Sequence, residues 1–183
     1  MKNIFLLLYN FLEDFFHLIR IKKFLKTKVF FKRPTIFDVG SHKGKITRLF
    51  YELYRDAKIY SFEPNKLLHN KIKQKNFKKS IKLYDYALGE KKKERIINIE
   101  DLDLTSSLSK IDKNSFYLRV KELILGKSSN YRTQKVRVIT LDHFCKTKKI
   151  KKIDLIKIDV EGYEYMVLLG GKKIINNTHY VII

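Results

Sequence analysis

Short apolar segments alternate with segments of helical periodicity along this chain, and that alternation restricts its possible folds more than any other feature. Strands that alternate with helices predict βαβ units and a parallel sheet. Ile153–Ile158 is apolar at nearly every position, which is typical of a strand covered on both faces. The predicted strands are Thr35–Val39, Lys58–Phe62, Ile81–Tyr86, Ile153–Ile158 and Tyr180–Ile183, and the predicted helices are Lys45–Tyr54, Lys66–Gln74 and Glu161–Leu169.

Residues 90–140 interrupt the alternation. Arg95–Glu100 and Lys135–Thr140 have the pattern of extended segments, and a stretch rich in Lys and Ser lies between them at residues 126–133. We predict an inserted hairpin or lid over about residues 90–140. The chain then divides into an amino-terminal segment, residues 1–34, and an α/β domain, residues 35–183.

The amino-terminal segment has an apolar stretch with helical spacing at residues 3–21. Polar residues interrupt it, which argues against a transmembrane helix, and no small-residue cleavage site follows. A cationic run over residues 20–33 comes next. Two interpretations stay open: a helix that packs on its own domain, or a helix that lies on an anionic membrane surface through residues 3–33. We expect a cytoplasmic protein, peripheral at the membrane in the second case.

The charge of the whole chain is strongly positive. Its 40 Lys and Arg residues outnumber its 19 Asp and Glu residues, for a formal net charge of +21. Such an excess can neutralise the phosphates of a nucleic acid. Nearly all of the excess is Lys, however, and it accompanies many Ile, Asn, Phe and Tyr residues, as an AT-rich genome would encode. We therefore consider nucleic acid the less favoured partner.

Acidic residues nevertheless stand at the carboxyl ends of the predicted central strands. Right-handed crossovers place these strand ends at one edge of a parallel sheet, where open α/β sheets bind ligands. One such acid alone is often only a helix cap, but several in register favour a site. The acids are Asp38, Glu63, Asp85, Asp159 and Glu161.

The loop after the first strand resembles neither standard phosphate-binding motif, since it lacks both GxGxxG and GxxxxGK[ST]. Gly40 and Gly44 allow a tight turn into the following helix. Glu63 follows Asp38 at close to the offset of an acid that binds ribose hydroxyls in βαβ nucleoside sites. Acids at this edge disfavour a phosphate tail and favour a cationic cofactor that contains adenosine. S-adenosyl-L-methionine is the cofactor we predict.

Several motifs resemble those of the FkbM-type methyltransferase family, and they occur in family order across residues 35–183. The resemblance implies a Rossmann-like class I methyltransferase sheet with helices on both faces. It also implies that the protein uses S-adenosylmethionine to methylate a hydroxyl of a glycan, a lipid-linked sugar or another small molecule. The motifs are Asp38–Gly44, Phe62–Pro64, Ala87–Gly89, Ser106–Leu108, Thr140–Asp142 and Ile156–Glu164.

The same resemblance implies roles for individual residues. Asp38, Gly40 and Gly44 would form the loop on the methionine side, Glu63 would hold the ribose, and Asp85 with Ala87 would border the adenine. The full set implied for the cofactor is Asp38, Gly40, Ser41, His42, Gly44, Glu63, Pro64, Asp85 and Ala87. Class I methyltransferases continue past the fifth strand with a closing antiparallel pair, whereas this chain stops at Ile183, so we expect the closing carboxyl-terminal strands to be missing.

The candidate catalytic bases are Asp159 and Glu161, with His42 behind them. A base close to the acceptor hydroxyl would assist methyl transfer. The structural alternative is that Asp159 caps the helix that follows and Glu161 lies in its first turn. A divalent metal held by Asp159 and Glu161 is the weaker hypothesis, because the two carboxylates have no obvious third ligand. Glu164 lies one helical turn further along, but it is more simply explained as an exposed helix residue. Two other functions stay open: an RNA methyltransferase and a truncated, non-catalytic binding module.

Overall fold

A computed structural model describes residues 16, 18–75, 80–100, 106–107 and 131–183 of the protein. Its helices are α1 (including residues 18–28), α2 (Lys45–Leu53), α3 (Lys66–Gln74), α4 (Leu141–Thr147), α5 (Glu164–Leu169) and α6 (Lys172–Ile175). Its strands are β1 (Thr35–Val39), β2 (Lys58–Phe62), β3 (Ile81–Tyr84), β4 (Ala87–Leu88), β5 (Lys93–Glu100), β6 (Ser106–Ser107), β7 (Tyr131–Ile139), β8 (Ile153–Ile158) and β9 (Thr178–Ile182).

Five strands form the central sheet, in the order β3-β2-β1-β8-β9, and every neighbouring pair is parallel. The predicted parallel α/β architecture is therefore confirmed. The third strand ends at Tyr84 and not at Tyr86, because the chain turns there to place Ala87 and Leu88 beside β7 in a second sheet.

The second sheet has four strands in the order β4-β7-β5-β6. β5 and β7 pair antiparallel, with Lys93 opposite Val138, and both strands lie within the predicted insertion at about residues 90–140. Most of the predicted lid, at residues 101–105 and 108–130, lies outside the described residues.

Side chains alternate between the two faces of the central sheet, and helices cover both faces. Phe37 and Ile156 point to one face and pack with Phe144 of α4. Ile36 and Leu155 point to the other face and pack with residues of α1 and α2. The sheet is thus buried on both sides, as the apolar run of β8 predicts.

Helix α1 packs on the second of these faces. Ile21, Leu25 and Val29 are buried there. The Tyr54 hydroxyl donates to the carbonyl oxygens of Leu25 at 3.2 Å and Val29 at 3.0 Å. The described part of the helix therefore follows the interpretation in which it packs on its own domain, and the boundary at residue 34 stays a prediction. Within the described ranges, no helix has both the length and the apolar character needed to cross a membrane.

Candidate active site

The strand register brings the predicted acids to one edge of the central sheet. Val39 lies beside Phe62 on β2 and beside Ile158 on β8, and Phe62 lies beside Tyr84 on β3. These four residues mark the carboxyl edge. Asp38 precedes this row by one residue, and Glu63, Asp85 and Asp159 follow directly after it.

The acids at this edge differ in their exposure. Asp38 and Glu63, on the two neighbouring strands at the middle of the sheet, are 0% and 3% exposed. Asp85 and Asp159 are exposed to solvent. The structure therefore separates two buried carboxyl groups from two that are exposed to solvent.

A row of buried polar side chains crosses the sheet at Asp38. Its register partners are Ser61 on β2 and Lys157 on β8, and all three lie on the face covered by α2. The Thr47 hydroxyl of α2 donates to Asp38 Oδ2 at 2.5 Å and lies 3.1 Å from Ser61 Oγ. Burial raises the pKa of the Asp38 carboxyl, although the Lys157 ammonium and the Thr47 hydrogen bond oppose this shift.

Lys157 is the site residue that our sequence analysis missed. Its ammonium donates to the Gly40 carbonyl oxygen at 2.8 Å and lies 3.5 Å from Asp38 Oδ1 and 3.2 Å from Asp159 Oδ2. The residue is only 4% exposed. The sequence signal was a lysine in a strand that is apolar except for Asp154 and Lys157. A buried ammonium needs polar partners, and only the fold shows which residues supply them.

The turn after β1 is held between β2 and β8. Gly40 has a φ of 79°, and its N–H donates to the Phe62 carbonyl at 3.1 Å. A Cβ atom at this position would stand 1.9 Å from the Asp159 carbonyl oxygen, so no other residue fits without movement of the backbone. Ser41 Oγ lies 2.5 Å from Ser61 Oγ. Gly44, with a φ of 72°, ends the turn and precedes α2.

Glu63 is fixed by two backbone N–H groups. The N–H of His42 donates to Oε2 at 2.7 Å, and the N–H of Asn65 donates to Oε1 at 2.9 Å. Burial raises the pKa of Glu63 to about 7, in spite of these two hydrogen bonds. Each carboxylate oxygen has two lone pairs, so each oxygen can accept another hydrogen bond.

The raised pKa of Glu63 makes stability depend on pH. The folded state binds the proton of the Glu63 carboxyl more tightly than the unfolded chain does. The protonated carboxyl therefore contributes its full share of the free energy of unfolding below pH 4.5, and this share is lost as pH rises through about 7. The loss amounts to roughly 3 kcal/mol. We expect Glu63→Gln to abolish this part of the pH dependence of the free energy of unfolding, measured with denaturant. The expectation concerns the change with pH and not the stability of the variant at any one pH. Parallel curves for the two proteins between pH 4.5 and 7 would contradict the assignment.

The loop after β8 departs from the predicted helix. Glu161 and Gly162 have φ angles of 53° and 86°, which no right-handed helix adopts, so α5 begins at Glu164. The capping alternative for Asp159 is therefore wrong, because the helix starts too far along the chain. Glu164 is also not an exposed helix residue: its Oε1 accepts from the N–H groups of Val160 at 2.9 Å and Gly162 at 3.2 Å.

Tyr163 connects this loop to the second sheet. Its hydroxyl donates to Glu90 Oε2 at 2.6 Å and accepts from Arg95 Nη1 of β5 at 2.7 Å. Partial burial would raise the pKa of Glu90, but hydrogen bonds from Lys93 and Tyr163 outweigh burial and lower that pKa to about 2. The base of the inserted hairpin is thereby fixed against the loop that carries Asp159 and Glu161.

The remaining predicted cofactor residues lie toward the second sheet. The Pro64 carbonyl accepts from Gln134 Nε2 of β7 at 2.7 Å, and Ala87 is buried in β4, so neither stands in the row of acids. Asp85 is exposed directly after β3. In the described part of the chain, no three His, Cys, Asp or Glu side chains come close enough together to hold a metal ion.

The chain is similar to known methyltransferases. The chain is 25% identical over 157 residues to the 2-O-methyltransferase NoeI of Sinorhizobium fredii, which covers 81% of this chain and 61% of the relative. It thus spans about three fifths of that relative's length. A crystal structure of methyltransferase FkbM from Methylobacillus flagellatus aligns over 81% of this chain and 32% of its own, with 13% identity and a TM-score of 0.49. The family model for the methyltransferase FkbM domain matches residues 38–183, so the chain belongs to the FkbM methyltransferase family.

Proposed function

We propose that this protein transfers a methyl group from S-adenosylmethionine to a hydroxyl of a glycan, a lipid-linked sugar or another small molecule. One observation carries the proposal: Asp38 and Glu63, both buried, flank the turn at residues 40–44 at the carboxyl edge of a parallel sheet. Buried carboxylates at this place favour a cationic ligand, and the chain belongs to a methyltransferase family.

The residues present fit the proposed cofactor. Among the described residues, the fully buried Asp38 Oδ1 accepts no hydrogen bond and has only the ion pair to Lys157 at 3.5 Å. Glu63 has lone pairs to accept from the two ribose hydroxyls, and hydrogen bonds to an ionised group each contribute about 1.5–3 kcal/mol. When bound, S-adenosylmethionine supplies an electrophilic methyl group on a sulfonium.

The protein's own contribution to the reaction is to position the acceptor and to remove its proton. Holding the acceptor oxygen in line with the methyl group supplies much of the rate enhancement. Asp159 is the base we propose, because it is exposed at the same edge and the Lys157 ammonium at 3.2 Å orients its carboxylate. Glu161, in the same loop, and His42, in the turn after β1, are the secondary candidates. Transfer to oxygen is supported by the relative that is named a 2-O-methyltransferase.

The cofactor site is tested by calorimetric titration of S-adenosylhomocysteine into the wild-type protein and Glu63→Ala. We expect the wild type to bind and the variant to bind about tenfold to a hundredfold more weakly, since the variant cannot accept from the ribose hydroxyls. Glu52→Ala is the matched control, because Glu52 is an exposed glutamate of α2 that pairs with Arg48 on the helix surface.

Two results would contradict this proposal. A wild-type protein that unfolds cooperatively and does not bind S-adenosylhomocysteine would exclude the cofactor. Equal binding by the wild type and Glu63→Ala would exclude the ribose role of Glu63 while leaving the cofactor in place.

A further inference from the structure

The outward side of α1 and the loop that follows it form a surface that the proposed function does not use. We call it the basic surface. No acidic residue occurs from Phe16 to Arg33 in the sequence. Its exposed cations are Arg20, Lys22, Lys23, Lys26, Lys28, Lys32 and Arg33, and its exposed apolar residues are Phe16, Ile19 and Phe30.

The packing of α1 fixes which residues face outward. Ile21, Leu25 and Val29 are buried against the domain. Ile19, Lys23 and Lys26 recur at helical spacing on the opposite side and share one outward stripe. The apolar side of α1 is therefore covered by the domain. Its outward side carries cations together with an exposed aliphatic residue.

Phe30 is the clearest sign of a partner. It is 78% exposed, although the neighbouring Phe31 is packed on the domain, with its ring stacked on His179 at a centroid distance of 5.2 Å. The loop thus packs one phenylalanine partly against the domain and presents the other to solvent between Lys28 and Lys32. An exposed aromatic ring flanked by cations is the arrangement that interfacial membrane anchors use.

The cations continue onto the amino edge of the central sheet. Lys32 and Arg33 lie just before Pro34 and β1, and Lys58 begins β2. Lys151 and Lys152 immediately precede β8, where Lys152 pairs with Asp154 at 3.3 Å. Because these strands are parallel and in register, their first residues share the edge opposite the row of acids. A flat partner on the amino edge would leave the candidate active site open at the carboxyl edge.

We propose that the basic surface docks this protein on an anionic phospholipid bilayer, with Phe30 and Ile19 entering the interface and the lysines lying against headgroup phosphates. Lysine is a compact charge that attracts an anionic surface without reading its shape. Ile19 has no ring on which a base could stack, and five of the seven exposed cations are lysines, whereas arginine and several stacking rings are typical of nucleic-acid grooves. These features favour a bilayer over a nucleic acid.

The test is flotation of the full chain with vesicles of phosphatidylcholine alone and of phosphatidylcholine mixed with phosphatidylglycerol. We expect binding to the mixed vesicles that weakens with salt, and little binding to phosphatidylcholine alone. The double variant Lys23→Glu/Lys26→Glu is expected to lose about tenfold or more in vesicle affinity. Lys71→Glu/Lys73→Glu on α3 is the matched control, since it makes the same change of net charge at two other exposed lysines.

A second pair of variants tests the apolar contribution. Phe30→Ser is expected to weaken binding to the mixed vesicles, whereas Ile96→Ser, which removes an exposed apolar side chain from β5, is expected to have no effect. Circular dichroism and S-adenosylhomocysteine titration show that each variant is folded.

Three results would overturn the proposal: a wild type that does not float with mixed vesicles, equal losses in the two lysine pairs, or a Phe30→Ser variant that binds like the wild type. Binding to a polyuridylate probe, lost in Lys23→Glu/Lys26→Glu and accompanied by no vesicle binding, would assign the basic surface to nucleic acid instead.

Discussion

Asp159→Asn is expected to lower kcat for methyl transfer by about 10²- to 10⁴-fold, because the amide cannot take the proton of the acceptor hydroxyl. The affinity for S-adenosylhomocysteine should change little, since the Asp159 side chain points into solvent at the edge and is 58% exposed. The measurement is transfer from methyl-labelled S-adenosylmethionine to a panel of sugars with free hydroxyls, followed as labelled product.

The comparison variants separate the candidate bases. Glu161→Gln tests the neighbouring acid of the same loop, and Asp56→Asn changes an exposed aspartate before β2, at the opposite edge. A full loss in Glu161→Gln with an active Asp159→Asn would transfer the base role to Glu161. If no sugar accepts the label although the cofactor analogue binds, methylation of sugar hydroxyls is contradicted.

The second large effect is expected at Lys157. Lys157→Met should destabilise the folded protein by about 3–5 kcal/mol, because it leaves the buried carboxyl of Asp38 without its ammonium partner. The same change removes the hydrogen bond to the Gly40 carbonyl, so the turn at residues 40–44 should bind S-adenosylhomocysteine more weakly. Denaturant unfolding of the variant measures the first effect, and titration measures the second.

The pairing of Lys157 with Asp38 can be isolated by a double-mutant cycle. Asp38→Asn in the Lys157→Met background removes the unpaired carboxyl, so the double variant should be more stable than the sum of the two single losses implies. Lys58→Met, at an exposed lysine that begins β2, should alter stability by no more than about 0.5 kcal/mol. Additive losses at Asp38 and Lys157 would show that the two charges do not interact.

Much of the candidate site could be predicted from the sequence, because strand alternation and crossover handedness are encoded locally. Once strands and helices alternate, every parallel strand ends at one edge, and acids such as Glu63 and Asp159 must then share it. The register could not be predicted, since it depends on contacts between segments distant in the chain. It is the register that places Lys157 directly beside Asp38 and so explains a lysine in an apolar strand.

The first residue of α5 also could not be predicted from the sequence, although it is a local feature of the chain. Periodicity extends the helix back to Glu161, but the chain adopts positive φ angles at Glu161 and Gly162 while Glu164 accepts from the backbone of this loop. Local spacing cannot report such a conformation, because tertiary contacts such as the Tyr163 bonds to Glu90 and Arg95 stabilise it.

The sequence by itself therefore determined the class of fold, the family motifs and the edge at which the acids gather, since each depends on the order of residues along the chain. Only the tertiary structure decided which acids are buried, which cation accompanies them and which side of α1 faces outward. Burial and pairing are the physical reason. Desolvation by distant parts of the chain raises the pKa of Glu63 to about 7, and the packing of Ile21 and Leu25 on the sheet leaves Lys23 and Lys26 on the surface.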